Sequence, residues 1–409
     1  MSQVQGVLEF VLARQPTFDQ KKQIIGYEIL FRQGRINLFM NNDADAASEE
    51  LISHIVDRFE LEEITGGKPF FINLTPELVQ QQAYTRLPSE HAVIELNGIE
   101  QIDDALITAC RELRDQGYRL SIDDYAPMPG MERLAQLADY VKIDVQSPEA
   151  KERFRTCKGQ TGAGACLVAM KTETQEQFQE AVETGFGGFQ GFFFCKPEQV
   201  RRKQIQPSKM NYLRLLEQVN RPELDFEALE DVMKRDASLS LEFLRRLNSA
   251  AFGLRHKVTS LKHALAMLGE KMIKKWVSAF IVADLCDNKP TELATTALVR
   301  GVFCEKIGRD IGLEEREMEL YLTGLVSVMD AVLDCPMAEL LEQLKLPDEV
   351  RMTLAGEQTD LAPVLETVIA QERGDWTSLS RLSEERSIDL GKLTAAWYES
   401  TKWASAIAA

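Results

Sequence analysis

The sequence predicts a (β/α) barrel followed by an all-α domain, and three observations predict it. The first half alternates short β-type runs with helical stretches, almost every run carries a polar residue near its end, and strand signals vanish beyond about residue 209. A chain of 409 residues is too long for one ordinary core, so two domains are expected. The pattern is clearest around Tyr118–Asp124. There Leu120 and Ile122 alternate with Arg119 and Ser121 as in a half-buried strand, and Asp123 and Asp124 follow. Ahead of it, Ile102, Leu106, Ile107, Cys110 and Leu113 recur at helical spacing until Gly117 stops the helix. Helix, strand and acids at the strand's carboxyl end is the order of a parallel α/β fold, whose chemistry sits at those ends.

Taken in order, Val7–Arg14 and Ile24–Phe31 are strands too close in sequence for a helix between them, so a hairpin joins them. Ala44–Phe59 has the apolar stripe of an amphipathic helix. Phe70–Leu74 is a strand, and Pro76 opens the helix behind it. Further strands are expected at Val93–Leu96, Tyr140–Val145, Ala165–Met170 and Phe189–Phe194, with a helix over Thr174–Thr184. A barrel is the natural closure of such units. Pro197, Arg201, Arg202, Lys203 and Pro207 mark a linker at about 198–209, which gives a barrel over 1–200 and a helical domain over 201–409. Helical spacing then runs through Met210–Gln218, Phe226–Arg235, Ser238–Asn248, Leu261–Leu268, Lys271–Leu285, Glu292–Ile311, Glu315–Asp334, Met337–Leu344, Pro347–Leu354 and Leu361–Glu372.

Composition narrows the function. A formal net charge of -17 opposes non-specific contact with nucleic acid or anionic membrane. The 7 cysteines form no CxxC pair, which suits reduced thiols and gives no structural zinc. With no signal segment and no span long enough to cross a bilayer, a cytoplasmic protein is expected.

Glu28, Asn73, Glu95, Asp123, Asp124 and Asp144 place oxygen donors on successive strands. Hard divalent cations take such donors, and phosphodiester hydrolysis uses those cations to neutralise phosphate and activate water. Lys142 and Arg32 add positive charge. Singly, each is more often a solvated strand end; together they are hard to dismiss.

These residues resemble the EAL family of cyclic di-GMP phosphodiesterases, which are modified (β/α) barrels. The resemblance runs through Tyr27-Glu28-Ile29-Leu30-Phe31-Arg32, Phe71-Ile72-Asn73-Leu74-Thr75-Pro76, Ile94-Glu95-Leu96, Asp123-Asp124, Val141-Lys142-Ile143-Asp144 and Phe189-Gln190-Gly191 on to Lys196-Pro197. It implies that Glu28, Asn73, Glu95 and Asp123 are metal ligands and Asp124 a ligand of a second metal. It also implies that Lys142 positions water, and that Arg32 and Gln190 contact the dinucleotide.

The departures bear on activity. Where the family reads Ala-Glu-Gly-Val-Glu, this chain reads Ala169-Met170-Lys171-Thr172-Glu173. Met170 replaces a catalytic carboxylate and neither binds a hard cation nor takes a proton. Lys171 replaces a glycine, and Glu173 remains as a catalytic candidate. Pro127 and Pro129 stiffen a loop that closes over the ligand in the family, and Gly98 stands where a glutamate is usual.

The helical half resembles the HDOD domain, a relative of the HD metal phosphohydrolases. Met233 to Ser240, Leu244 to Gly253 and Ser260 to Gly269 carry the likeness. The His-Asp pair of the active relatives is absent: Ser327-Val328 stand in that segment, and no histidine follows His263. His256 and His263 are read as surface or cap-adjacent residues.

The expectation is a bacterial signalling protein whose two domains bind partners rather than catalyse. Its partners would be a kinase, a response regulator or a second copy of the chain. No cofactor is expected in that case. The alternatives are a Mg- or Mn-dependent cyclic di-GMP phosphodiesterase and a non-catalytic cyclic di-GMP sensor.

Overall fold

The structure is a computed structural model that describes residues 10–33, 61–196, 207–221, 224, 245, 248 and 258–408. The expected helices over Ala44–Phe59, Phe226–Arg235 and Ser238–Asn248, and the linker core at 197–206, lie outside or almost wholly outside these residues.

Eight strands close a barrel in sequence order: β1 Phe10–Phe18, β2 Ile24–Gln33, β3 Phe70–Leu74, β4 Ala92–Leu96, β5 Arg119–Ile122, β6 Tyr140–Asp144, β7 Cys166–Met170 and β8 Gly188–Gln190. The expected hairpin is present. β1 runs antiparallel to both neighbours, pairing Gln15 with Glu28 on β2 and Thr17 with Gln190 on β8. All other pairs are parallel.

Local chemistry accounts for the connections. Asp103 caps the helix Asp104–Asp115 by accepting from the Leu106 amide at 2.8 Å. Thr174 and Gln177 form a capping box at the start of Gln175–Thr184, and Gly185 ends that helix at φ 106°. Every residue of β3 and β4 is buried. Both faces of a parallel barrel strand are covered, by helices outside and side chains inside. The interior face is partly polar. Glu28, Asn73, Glu95, Ser121, Lys142 and Gln190 are all buried there. They stand above the aromatic pair Phe71 and Tyr140, whose rings meet edge to face at 5.1 Å.

Several boundaries differ from expectation. The first strand runs further than expected toward its carboxyl end, since β1 reaches Phe18 rather than stopping at Arg14; residues 7–9 of the expected strand lie outside the described residues. The closing strand is only Gly188–Gln190; Gly191 at φ 146° breaks it, and Phe193–Cys195 is a 3-10 turn. The aromatic run there packs as core: Phe193 stacks on Phe178 at 4.6 Å. Pro207, read as linker, is the first residue of helix Pro207–Val219, which suits proline's fixed φ.

Beyond the barrel the described residues are helical: Leu261–Leu285, Thr291–Asp310, Glu317–Val326, Met329–Leu333, Met337–Gln343, Asp348–Leu354, Ala362–Glu372, Trp376–Arg386 and Leu390–Ala408. The break expected between Leu268 and Lys271 is present: Gly269 (φ 77°, ψ 165°) is non-helical and divides Leu261–Leu285 into two helical stretches. The helix expected over Glu315–Asp334 is interrupted at Ser327-Val328. The last two helices lie past the point where helical spacing had been read.

The chain forms two compact units. One comprises Met1–Phe194 with Ala370–Arg381 and Asp389–Thr394, the other Cys195–Ile369 with Leu382–Ile388 and Ala395–Ala409. Within the first, the Gln371 amide donates to the Leu12 carbonyl at 2.8 Å and Arg373 lies over the Phe192 ring at 5.3 Å. In the described residues no helix is long and apolar enough to cross a membrane.

Candidate functional site

The site grows out of strand register. β3 and β4 pair Asn73 with Glu95, β4 and β5 pair Glu95 with Ser121, and β6 and β7 pair Asp144 with Met170. Alternation then turns Glu28, Phe71, Asn73, Glu95, Lys142 and Gln190 into the barrel.

Lys142 is the hub. Its ammonium lies 2.5 Å from Glu28 Oε2 and 2.7 Å from Glu95 Oε1, over the Phe71 ring at 5.0 Å. Glu28 also accepts from Asn73 Nδ2 at 2.8 Å and from Gln190 Nε2 at 2.7 Å. Gln190 is held in turn by Gln15 Oε1 at 3.0 Å. Burial alone would raise the Glu28 pKa, but the Lys142 charge and the hydrogen bonds from Lys142, Gln190 and Asn73 carry it below the ordinary value. Burial would likewise lower Lys142, and Glu28, Glu95 and Asp123 raise it instead.

Glu95 is the exception. It is completely buried, and burial pushes its pKa well up despite Lys142, with Glu28 and Asp123 adding repulsion. Burial raises Asp123 too, against the pull of Lys142. Glu95 Oε1 has the Lys142 ammonium, whereas Glu95 Oε2 and Asn73 Oδ1 are buried with no hydrogen-bond partner found among the described residues. With Glu28, Glu95 and Asp123 all ionised against the one ammonium the formal charge would be minus two, a charge that burial opposes by raising Glu95 and Asp123 and that one divalent cation would balance in place of their protons. Oxygen donors, orphaned acceptors and charge all fit such a cation, with Glu28, Asn73, Glu95 and Asp123 as its holders. As found, Lys142 stands between Glu28 and Glu95, and no ready cluster of three metal-binding side chains exists among the described residues.

The remaining predicted residues sit at the rim. Asp124 is exposed at φ 40°, with Arg153 Nη1 at 3.6 Å from its Oδ1. Tyr125, just after it, is buried and its hydroxyl donates to Gln160 at 2.7 Å, which anchors the start of the loop bearing Pro127 and Pro129. Asp144 is paired with Lys171, which adopts a left-handed φ of 59°. Met170 ends β7 half-buried. Glu173 is half-buried; its amide bonds to Gln177, and no hydrogen bond of its carboxylate is found among the described residues. Arg32 lies on β2 opposite Val11. Sequence reading missed Gln15, Phe71, Arg153 and Gln160. Gln15 was available from the hairpin register, which sets it opposite Glu28; the others depend on tertiary contacts.

In the helical unit, Ser327 Oγ accepts from Arg300 at 3.0 Å and donates to the Gly324 carbonyl at 2.7 Å, which occupies the break between two helices. The hydrophobic Val328 beside it is buried. His263 lies in the first turn of its helix, where Ser260 caps its amide at 3.1 Å; His256 lies outside the described residues.

The site thus belongs to a modified (β/α) barrel, eight-stranded with an antiparallel first strand and oxygen donors along its strands, carried in one chain with a helical domain. The HDOD domain family matches residues 206–352. A Vibrio cholerae serotype O1 protein named cyclic di-GMP phosphodiesterase CdgJ is 30% identical over 399 residues, covering 97% of this chain and 92% of that protein. An uncharacterized protein of Bacillus subtilis strain 168, YuxH, is 30% identical over 400 residues, covering 96% of this chain and 97% of that one. Among solved structures, an EAL domain protein from Listeria monocytogenes EGD-e is 22% identical over 46% of this chain and 87% of its own, with a TM-score of 0.38, too low to carry an argument. The chain belongs to the family of EAL–HDOD signalling proteins related to cyclic di-GMP phosphodiesterases.

Proposed function

We propose that the barrel of this signalling protein holds one divalent cation and a cyclic dinucleotide without turning it over, and that the chain signals through protein contacts. The observation that carries the reading is Met170. It ends β7 opposite Asp144, so that strand closes on a thioether rather than a carboxylate. A carboxylate acting in proton transfer contributes about 100–10,000-fold in rate, so its loss leaves binding with little or no chemistry. The relative from Vibrio cholerae, named as a cyclic di-GMP phosphodiesterase, supplies the ligand class. Gln190 is already spent on Glu28 and Gln15, so its part is to orient Glu28 as much as to meet the ligand. The HDOD half, with Ser327 and Val328 in place of a metal-binding pair, is read as the contact module for a kinase, a response regulator or a second copy.

A second reading is a residual Mg- or Mn-dependent phosphodiesterase. The assembly of Glu28, Asn73, Glu95 and Asp123 around Lys142 favours it. Calorimetric titration of the full chain with cyclic di-GMP, with and without Mg²⁺, decides between them when the mixture is then assayed for linear dinucleotide. Cation-dependent binding without product supports the proposal. Steady product that Glu28→Ala abolishes overturns it in favour of the enzyme. No binding at all leaves the protein-contact role alone, tested by light scattering and pull-down.

A further inference from the structure

We propose that Lys171 is a built-in counter-cation: its ammonium takes the place of a second divalent ion beside Asp144 and Asp124 at the rim and Asp123 just inside it, and so limits the barrel to one bound cation. This rests on the one-cation reading above and deepens it.

Four observations converge. The Lys171 ammonium meets Asp144 Oδ2 at 2.6 Å, and the Asp144 side chain is only 16% exposed. The Lys171 backbone is held in a left-handed conformation that non-glycine residues rarely adopt. Its carbonyl is fixed by Gln146 Nε2 at 3.1 Å, while the Gln146 amide bonds Asp144 Oδ1 at 2.8 Å. The lysine and its aspartate are thus clamped from both sides. Third, Asp124 and Asp123 lie close enough to act electrostatically on the same ammonium as Asp144. Lys142 acts on Asp123 from inside the barrel, and Arg153 lies 3.6 Å from Asp124. Fourth, Met170 beside it adds no oxygen donor.

A strained backbone conformation survives where the surroundings hold it in place. Here what it delivers is a positive charge among three acids at the mouth of a site whose inner acids already call for one divalent ion. A second such ion would have to displace that ammonium.

The test is a Mn²⁺ titration of the full chain followed by electron paramagnetic resonance, which counts bound ions and reports coupling between close pairs. Expected counts are one ion per chain for the wild type and two for Lys171→Gly, the second pair broadened by coupling, with Lys171→Arg remaining at one. Glycine suits the left-handed backbone, so this variant is expected to fold, and circular dichroism checks it. The proposal reads the difference between variant and wild type; the one-cation reading reads the wild-type count. Equal counts in wild type and Lys171→Gly overturn the proposal, as does two in the wild type. A gain from zero to one keeps Lys171 as counter-cation and overturns the one-cation reading.

Discussion

Lys142 and Glu28, 114 residues apart in the chain, meet at 2.5 Å inside the barrel, where both are almost fully buried. Removing one partner of such a pair leaves an uncompensated buried charge, which costs about 3–5 kcal/mol. Lys142→Met exposes Glu28 and Glu95 to each other with no cation between them. Urea unfolding is expected to show a loss in that range for the metal-free protein, with part of it recovered in Lys142→Met/Glu95→Gln. A loss below about 1 kcal/mol would mean that water already reaches these carboxylates.

Glu95 sets a pH dependence. Its folded pKa is raised by burial, so the folded state holds its proton more tightly than the unfolded chain. Between the ordinary value of 4.5 and the raised folded value, its contribution to stability therefore falls as pH rises. Glu28 has the opposite sign: its lowered pKa contributes stability above the ordinary value that is lost as pH falls through the folded one. A cation must displace the Glu95 proton. Mn²⁺ affinity is thus expected to climb with pH across that window, with protons released on binding. Calorimetry in two buffers of different ionisation enthalpy measures the release. Glu95→Gln should raise the metal-free melting temperature at neutral pH and remove the Mn²⁺-induced shift; a variant that keeps the shift excludes Glu95 as a ligand.

The strands of this barrel were legible because buried parallel strands are short apolar runs between turn residues, as in Phe70–Leu74, whose limits coincide with β3. Strand ends were legible in the same way, since polar residues such as Asn73 and Asp144 close those runs. Phe189–Phe194 misled because aromatic residues favour both strands and cores, and only Gly191 signals the break. Glu28 and Lys142 could be named as site residues from sequence. Their direct pairing could not, because it depends on which way a long side chain reaches across the barrel. The two helices after residue 373 were missed since they read as too polar or too mixed for a clear apolar stripe.

Gly324 makes a prediction in the helical unit. A Cβ there would lie 2.2 Å from the Arg300 carbonyl oxygen, where the helices Thr291–Asp310 and Glu317–Val326 cross backbone to backbone. Neither main chain can yield as a flexible side chain would. Gly324→Ala is therefore expected to destabilise this unit by at least the 1–3 kcal/mol of an overpacked core. Loss of helical circular dichroism at a lower temperature, with the barrel's Mn²⁺ binding retained, is the expected outcome. An unchanged melting profile would show that the two helices separate at little cost.

Met170 offers the sharpest test of the proposal that the barrel binds without turnover. Its side chain ends β7 half-buried, in register with Asp144. A glutamate there would bring a carboxylate to the strand that lacks one, and Lys171→Gly would remove the ammonium beside it while relaxing the left-handed backbone. Lys142, Glu28 and the other oxygen donors need no rebuilding. Met170→Glu/Lys171→Gly is expected to gain cyclic di-GMP hydrolysis by a factor of about 100 or more over the parent, the lower end of what a positioned acid or base contributes. Chromatographic detection of linear dinucleotide in the presence of Mn²⁺ measures it. Met170→Glu alone should gain less, because the neighbouring ammonium would pair with the new carboxylate. If the double variant binds two Mn²⁺ ions and still makes no product, the missing chemistry lies elsewhere, in the loop stiffened by Pro127 and Pro129.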